Sequence, residues 1–490
     1  MKRLLVSLLI LLGVVGGAFA TGSAEAGIEE VYTLRVVAPG DRFPGHDELF
    51  TMMNEMSAPE IGLAYDAEFV PWADFGTVRN LYLQSGEAYD GVLVWEPELQ
   101  DLWRQRAFAS LTEYISEDQT PNLVDVIPIQ VFEDMSIGGE YTVIPSVSEY
   151  FNFYDSYVIR ADLRKKYGME RAPKTRAEFE EYFQAILDNE EGIFPVRDMA
   201  PIGASKLIDG EYTYFVGPED LAVLDPETNE LSMWAEHPRF RAMVEMMHDW
   251  YDRGFVDPDS LVDQDNGQRW MAGEIAAYPH QRRMAGSVSR NPNLPEGYEA
   301  EAAIPLEHSV PPLRNFWANN LIAVPRGSEQ PDALPRYLDW VFAEKWDRYM
   351  PFIYGVPGKD WVREGEALRV GMEGSSGRMG GGEGPVLFPQ WWFWQAPLLP
   401  EDLNWTEEEA YYWNQVRDPD VEVIEHPALG FNVDLREIST VSQALSGLVN
   451  EFVPGLKSGI VDPDDPDRGL EAFADEIGRA SCRERVSFTL

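Results

Sequence analysis

Val31-Tyr-Thr-Leu-Arg-Val-Val-Ala-Pro39, closed by Gly40-Asp41, alternates in the manner of a β-strand. The period then changes. From His46 to Met56 the apolar side chains fall at Leu49, Phe50, Met53 and Met56, a spacing that gathers them on one helical face. Ala64 to Val70 reads as a second strand, Val78 to Leu83 as a second helix, and Ala88-Tyr-Asp-Gly-Val-Leu-Val-Trp95 as a buried third strand. Strand, helix, strand, helix, strand is the grammar of an α/β domain.

The rest of the chain continues in kind. Gly138-Gly139 predicts a tight turn into a short strand ending at Pro145, and Tyr150 to Ile159 reads as extended. Thr175 stands three residues before Glu178, a capping-box spacing, and Phe179, Tyr182, Phe183 and Ile186 form one buried stripe behind it. His237 to Trp250 reads as a helix stopped by Gly254. Trp317 to Val324 returns to a strand closed by Pro325, and Pro331 opens a helix through Trp340 and Phe342. Gly374 to Gly384 is too rich in glycine to hold regular structure unaided and leads into Trp391-Trp392-Phe393-Trp394. No internal repeat is visible.

At 490 residues the chain is long enough for two or more lobes with real cores. Asp and Glu number 84 against 39 Lys and Arg, a net charge of -45, which excludes nucleic acid as a partner because its phosphates would be repelled over most of the surface. An acidic surface with only 8 Lys fits solubility under salt or acid stress. Lys2-Arg3, the apolar run Leu4 to Val15 and Ala18-Phe19-Ala20 form an export-signal pattern over residues 1–20, with cleavage expected near Ala20. No cysteine stands directly after that point, where Thr21-Gly22-Ser23 follow, so a soluble periplasmic protein without a lipid anchor is expected. The only cysteine, Cys482, leaves no intramolecular disulfide and no Cys-based metal site. Glu476 to Val486 resembles the translation of a sequencing adapter, and residues 477–490 are expected to be a non-native tail.

Most reaction chemistries lack their residues. There is no Gly-x-Ser-x-Gly elbow, no phosphate-cradling glycine motif, and none of the 6 His is paired with another. The carboxylates of Asp462-Pro-Asp-Asp-Pro-Asp467 resemble a Ca²⁺ loop, but the prolines and the missing bidentate Glu make a solvated turn the better reading. A glycoside hydrolase needs two close carboxylates, which so acidic a chain cannot exclude but also does not single out. Aromatics are the positive signal. Fifteen Trp and 21 Tyr offer flat apolar faces on which sugar rings stack, and Trp95, Trp317 and Trp391 to Trp394 stand at strand ends or after a loop, where α/β folds place ligands.

Several segments together resemble the extracellular solute-binding proteins of carbohydrate ABC importers, in particular the oligosaccharide-binding LplA- and LipO-like members. They are Ser85-Gly-Glu-Ala-Tyr-Asp90, Gly139-Glu-Tyr-Thr-Val-Ile-Pro145, Tyr157-Val-Ile-Arg160-Ala-Asp162 with Pro173-Lys-Thr-Arg-Ala-Glu-Phe179, Gly254-Phe-Val-Asp-Pro258, Met271-Ala-Gly-Glu-Ile-Ala-Ala277, Asn319-Asn-Leu-Ile-Ala-Val-Pro325 and Tyr354-Gly-Val-Pro-Gly358. No one motif is specific, but their order from about residue 31 to 475 is. The resemblance implies the α/β, two-lobe periplasmic-binding-protein fold of type II, with lobe 1 in 31–147 plus 318–370 and lobe 2 in 148–317 plus 371–475, joined by a multi-strand hinge. It implies no catalysis, no cofactor and no metal, a monomer that binds an oligosaccharide or glycoside, and delivery to a heterodimeric membrane permease. Carried over residue by residue, the ligand would meet Asp41, Arg42, Trp95, Glu96, Glu149, Tyr150, Tyr278, His280, Trp317, Trp391, Trp392 and Trp394. The acids among them count mildly against a uronate. Besides the hydrolase, a receptor for a polyamine or peptide is the alternative that the charge leaves open.

Overall fold

The computed structural model describes residues 31–147, 150–151, 156–197, 201–216, 222–261, 266–280, 282, 285, 294–314, 317–318, 320–371, 390–430 and 439–483. The expectations for the export signal, Glu149, the stretch 374–384 and the chain beyond Arg483 lie outside these residues. The chain opens with strand β1 (Tyr32–Pro39), helix α1 (Pro44–Ile61), β2 (Leu63–Val70), α2 (Trp72–Ser85), β3 (Gly91–Trp95) and α3 (Glu96–Arg104), the order read from the sequence. β4 (Val143–Ser146) follows, then β5 (Tyr157–Arg160), β6 (Phe194–Val196) and a small sheet of β7 (Phe215–Val216), β8 (Ala222–Leu224) and β9 (Leu231–Met233). β10 (Ile275–Pro279), β11 (Ala300–Ala303), β12 (Leu313–Arg314), β13 (Asn320–Ala323), the hairpin of β14 (Trp361–Glu364) and β15 (Ala367–Val370), and β16 (Ile424–Glu425) complete the strands.

Two larger sheets form, each with its own core. The first has the order β2-β1-β3-β13-β4, with β1 parallel to β2 and β3, and β13 antiparallel to β3 and β4. Leu34, Val36, Val37 and Ala38 of β1 are fully buried because helices cover both faces, which explains the unbroken apolar run at 36–38. Gly91 starts β3 where a Cβ would lie 2.9 Å from Val36 and 3.1 Å from Leu334, so a side chain there would push the sheet off helix Ala333–Phe342. Just before it, buried Asp90 accepts hydrogen bonds from the Arg35 N–H, the Tyr32 hydroxyl and the Ser328 hydroxyl.

The second sheet runs β11-β5-β10-β6, with β5 antiparallel to both neighbours and β6 parallel to β10. Its core is built by helix Arg176–Asn189, which buries Phe179, Tyr182, Phe183 and Ile186, and by helix Pro238–Asp252, which buries Phe240, Met243, Met247 and Trp250. The predicted capping box is present: Thr175 Oγ1 accepts from the Glu178 N–H, and Glu178 accepts from the Thr175 N–H. Helix Ser439–Lys457 and helix Leu470–Arg483 pack on the same core through Phe452, Leu456, Phe473 and Ile477. Helix Leu470–Arg483 therefore runs without a break across the junction at residue 477 where the tail was expected to begin.

One boundary needs correction. Residues 390–425 were expected in lobe 2, but Trp392, Phe393, Trp394, Leu399, Trp413 and Val416 belong to the first core, with Trp392 against Phe69 and Phe393 against Phe352. The return to the second core comes later, between β16 and helix Ser439–Lys457. Among the described residues no helix is long and apolar enough to cross a membrane.

Candidate functional site

The strand register fixes what stands at the open edge of the first sheet. Pro39 is opposite Val70, and Trp95 is opposite Asn320, which is opposite Ser146. Within two residues of the strand ends, this edge carries Asp41 after β1, Pro71-Trp72 after β2 and Glu96 after β3. Trp72 is 55% exposed, a large apolar face offered to solvent at a strand end. The sequence reading missed it, although the strand-end criterion that selected Trp95 applies equally to an aromatic two residues past Val70.

Trp95 is half-buried, with its ring edge-on to Phe75 at 5.6 Å and 5.5 Å from the Arg79 guanidinium. Arg79 is itself buried and held by both oxygens of Glu98, at 2.6 and 2.8 Å, while Glu98 also accepts from the Trp95 N–H at 3.3 Å. This fork fixes the indole from behind. Asp41 is exposed. Arg42 donates to Asp47, Asp66 and the Ala67 carbonyl, so it braces the loop after β1 against β2. Glu96 is half-buried at the first turn of α3.

In the second sheet β10, β6 and β11 run in the same direction and end at one edge. Tyr278 and His280 lie at the end of β10, their rings 5.2 Å apart, and Tyr278 leans on Trp270 at 6.0 Å. Ser156 ties the strand end down: its hydroxyl donates to the His280 carbonyl at 2.6 Å, and its own carbonyl accepts from the His280 N–H at 3.3 Å. Beside them a cavity of about 450 Å³ opens between Lys206, Arg282, Ile304 and the loop Glu307–Pro312 on one side and Gln415, Val421 and Glu422 on the other. Val421 packs on the first core and Ile304 on the cluster beneath the second sheet, so residues of both lobes line it. The loop is strained. Leu306 and His308 hold φ of 54° and 66°, a region that side chains with a Cβ enter at a cost, and such strain gathers at binding sites.

Behind the cavity the chain crosses between lobes, and Arg314 joins the crossings. It donates to the Tyr150 carbonyl at 2.7 Å, pairs with Glu425 of the neighbouring strand β16 at 3.1 Å, and covers the Trp317 ring at 5.0 Å. Trp317 gives its indole N–H to Asp134 at 2.8 Å, and the Tyr150 N–H donates to the Val416 carbonyl at 2.8 Å. Trp317 and Tyr150 thus brace the hinge.

The structure does not bring all the expected residues together. Asp41, Trp95 and Glu96 share the first rim, Tyr278 and His280 the second, and Tyr150 and Trp317 the hinge. Trp392 is 1% exposed and Trp394 is also buried, both inside the first core, so neither indole reaches a cleft: this corrects their assignment as ligand contacts. Trp391 lies in a short 3-10 turn, Trp391–Phe393, and its side chain, like all of Glu149, is outside the described residues. Among the described residues no group of three or more His, Cys, Asp or Glu is arranged to hold a metal ion.

No protein-family model matches the chain. It is 20% identical over 479 residues, 95% of this chain and 90% of the relative, to a carbohydrate ABC transporter substrate-binding protein of Streptococcus pneumoniae serotype 4. Among solved structures it resembles the N-glycan transport solute-binding protein NgtS of Streptococcus pneumoniae, with TM-score 0.69, 17% identity, and coverage of 92% of this chain and 98% of that one. The complex of NgtS with Man5GlcNAc matches with TM-score 0.65 and 17% identity over 93% of this chain and 96% of that one. An HMO-binding, ABC-transporter-associated solute-binding protein of Bifidobacterium longum infantis matches with TM-score 0.62 and 13% identity over 93% of this chain and 97% of that one. Two α/β cores, a hinge of several crossings and a cavity lined from both sides give this chain the fold of the solute-binding proteins that serve ABC importers.

Proposed function

We infer that the chain captures an oligosaccharide or related glycoside between its two lobes and delivers it to the membrane permease of an ABC importer. The observation that carries this reading is the cavity lined by residues that pack on both cores, in a chain whose strand ends bear aromatic and acidic side chains. A ligand touching both walls binds the closed arrangement better than an open one, so its differential affinity shifts the population toward closure. Stacking on Trp72 and Trp95 supplies apolar contact, and Asp41, Glu96 and His280 orient hydroxyls. The relatives support the choice of ligand class, since NgtS has been crystallised with Man1GlcNAc and Man5GlcNAc. In this reading the chain binds the saccharide without turnover, as a monomer exported to the periplasm by its N-terminal signal. Buried Lys206 and Arg282 in the cavity wall disfavour a polyamine.

A thermal-shift and calorimetric screen against neutral oligosaccharides, Man5GlcNAc included, tests this. A saturable rise in Tm with a saccharide, and the same saccharide recovered unchanged by chromatography, is the expected result. No shift with any saccharide, or release of shorter products, overturns it.

A further inference from the structure

Of the 6 His, His46 and His426 are the buried ones, and His426 stands on the hinge. It is the first residue after β16 and is 6% exposed. The turn it opens, His426-Pro-Ala-Leu-Gly430, is wedged between the lobes. At one end the His426 ring lies edge-on to Tyr214 at 5.4 Å, and Phe215, the next residue, packs on the second core. At the other end Gly430 holds a φ of 77° where a Cβ would lie 3.1 Å from the Asp134 side chain, on the helix that sends Phe132 into the first core.

The imidazole itself ties the turn. Pro427 presets the φ that the position after His426 needs, the Leu429 N–H donates to the His426 carbonyl at 2.9 Å, and the Ala428 N–H donates to His426 Nδ1 at 3.0 Å. Nδ1 accepts only while it is bare, so the ring is neutral with its proton on Nε2, which is buried beside the Phe215 main chain. Burial holds the ring's pKa below the ordinary histidine value, and the Phe215 main chain raises it by less. The charged groups on the surrounding elements are engaged with one another: Arg314, whose carbonyl accepts from the His426 N–H, pairs with Glu425, Asp134 accepts from Trp317, and Arg239 near Tyr214 pairs with Asp209 and Glu211. Among the described residues none of them supplies a counter-charge to the ring. A second proton would therefore set a donor against the Ala428 N–H and bury a charge that nothing there offsets.

We propose that His426 is a pH-sensitive pin of the hinge: once protonated it leaves the Tyr214 face for water, the turn loosens and the lobes part. Closure is fully favoured above about pH 6.5, where a histidine in water is neutral, and is lost progressively below it. The device belongs to the hinge and acts on whatever solute the lobes enclose.

The test is small-angle scattering on the full chain without ligand at about pH 7.5 and about pH 5.5, one unit either side of a free histidine's pKa. The radius of gyration is expected to rise in acid for the unaltered protein, with an unchanged far-UV circular dichroism spectrum, and to stay constant for His426→Asn, whose Oδ1 accepts from the Ala428 N–H as in an Asx turn and does not titrate. A radius that is the same at both pH values, or that rises equally in the variant, overturns the proposal. Should His426→Asn fail to fold, the unaltered protein still decides by calorimetry with Man5GlcNAc, whose affinity must fall about fivefold or more across the same window; a flat profile overturns the proposal. No binding of any saccharide overturns the capture reading alone, because the scattering needs no ligand.

Discussion

Trp72 and Trp392 are the same residue type in opposite circumstances. One is more than half exposed at the first rim and the other is sealed against Phe69 in the core. Trp72→Ala should therefore weaken saccharide binding by ~1–3 kcal/mol in calorimetry and leave Tm almost unchanged. Trp392→Ala should do the reverse, costing ~3–5 kcal/mol of stability by denaturant melts through the cavity it leaves. An unchanged affinity for Trp72→Ala would remove it from the site. Sequence alone did not separate these cases, because a tryptophan after a loop looks the same whether long-range packing turns it inward or outward. Trp95 was legible since it closes an apolar strand, whereas the Arg79 and Glu98 fork that sets its ring comes from two helices and has no local signature. His46 is a second residue whose role appears only in three dimensions. Its ring stacks on Phe69 at 4.4 Å, its Nδ1 accepts from the Phe43 N–H, and burial pushes its pKa down to about 4. The unfolded chain takes up this proton near pH 6.5 and the native state not until about pH 4. The stability that neutral His46 contributes is therefore present above about pH 6.5 and is lost as pH falls through that window, at up to ~1.4 kcal/mol per pH unit. A His46→Gln variant should show a shallower fall of Tm between those pH values; an identical pH profile would mean that other groups carry the slope.

Among the elements, helix Arg176–Asn189 was the most legible, because cap and stripe are both local. Thr175→Ala should cost ~0.5–2 kcal/mol by leaving the first-turn N–H groups without the hydroxyl acceptor, measured by chemical denaturation of the second lobe. Thr175→Ser should restore most of it. The run from β1 to β3 was equally readable, since each element repeats its own period. Residues 390–425 were not. The resemblance put the crossing to lobe 2 at 370/371, yet residues 390–425 return to the first core, and only the packing of Phe393 on Phe352 and Trp394 on Trp413 reveals this. Where a chain re-enters a core is decided by the hydrophobic surface waiting there, and that surface is built by residues hundreds of positions away.

For the whole molecule the hinge is the element of control. Arg314 contacts the first crossing through Tyr150, the second through Trp317 and the third through Glu425. Arg314→Ala should make closure less cooperative: saccharide affinity should fall severalfold, and the ligand-induced decrease in radius of gyration seen by small-angle scattering should shrink. If scattering and affinity stay unchanged, the crossings are held by their strands alone. Helix Glu407–Val416 occupies an unusual place in such a movement. Tyr412 is buried in the cluster beneath the second sheet, while Trp413, the next residue, is buried in the first core between Trp394 and Trp405. A rigid body anchored in two rotating frames can travel with only one of them. The tryptophan side is locked by stacked rings and by Arg417 lying on Trp405, so the tyrosine side is the one expected to slide. Tyr411 and Tyr412 would then act as the slip plane of the molecule, and the angle through which the lobes part is set by how far two phenol rings can move before they lose their neighbours.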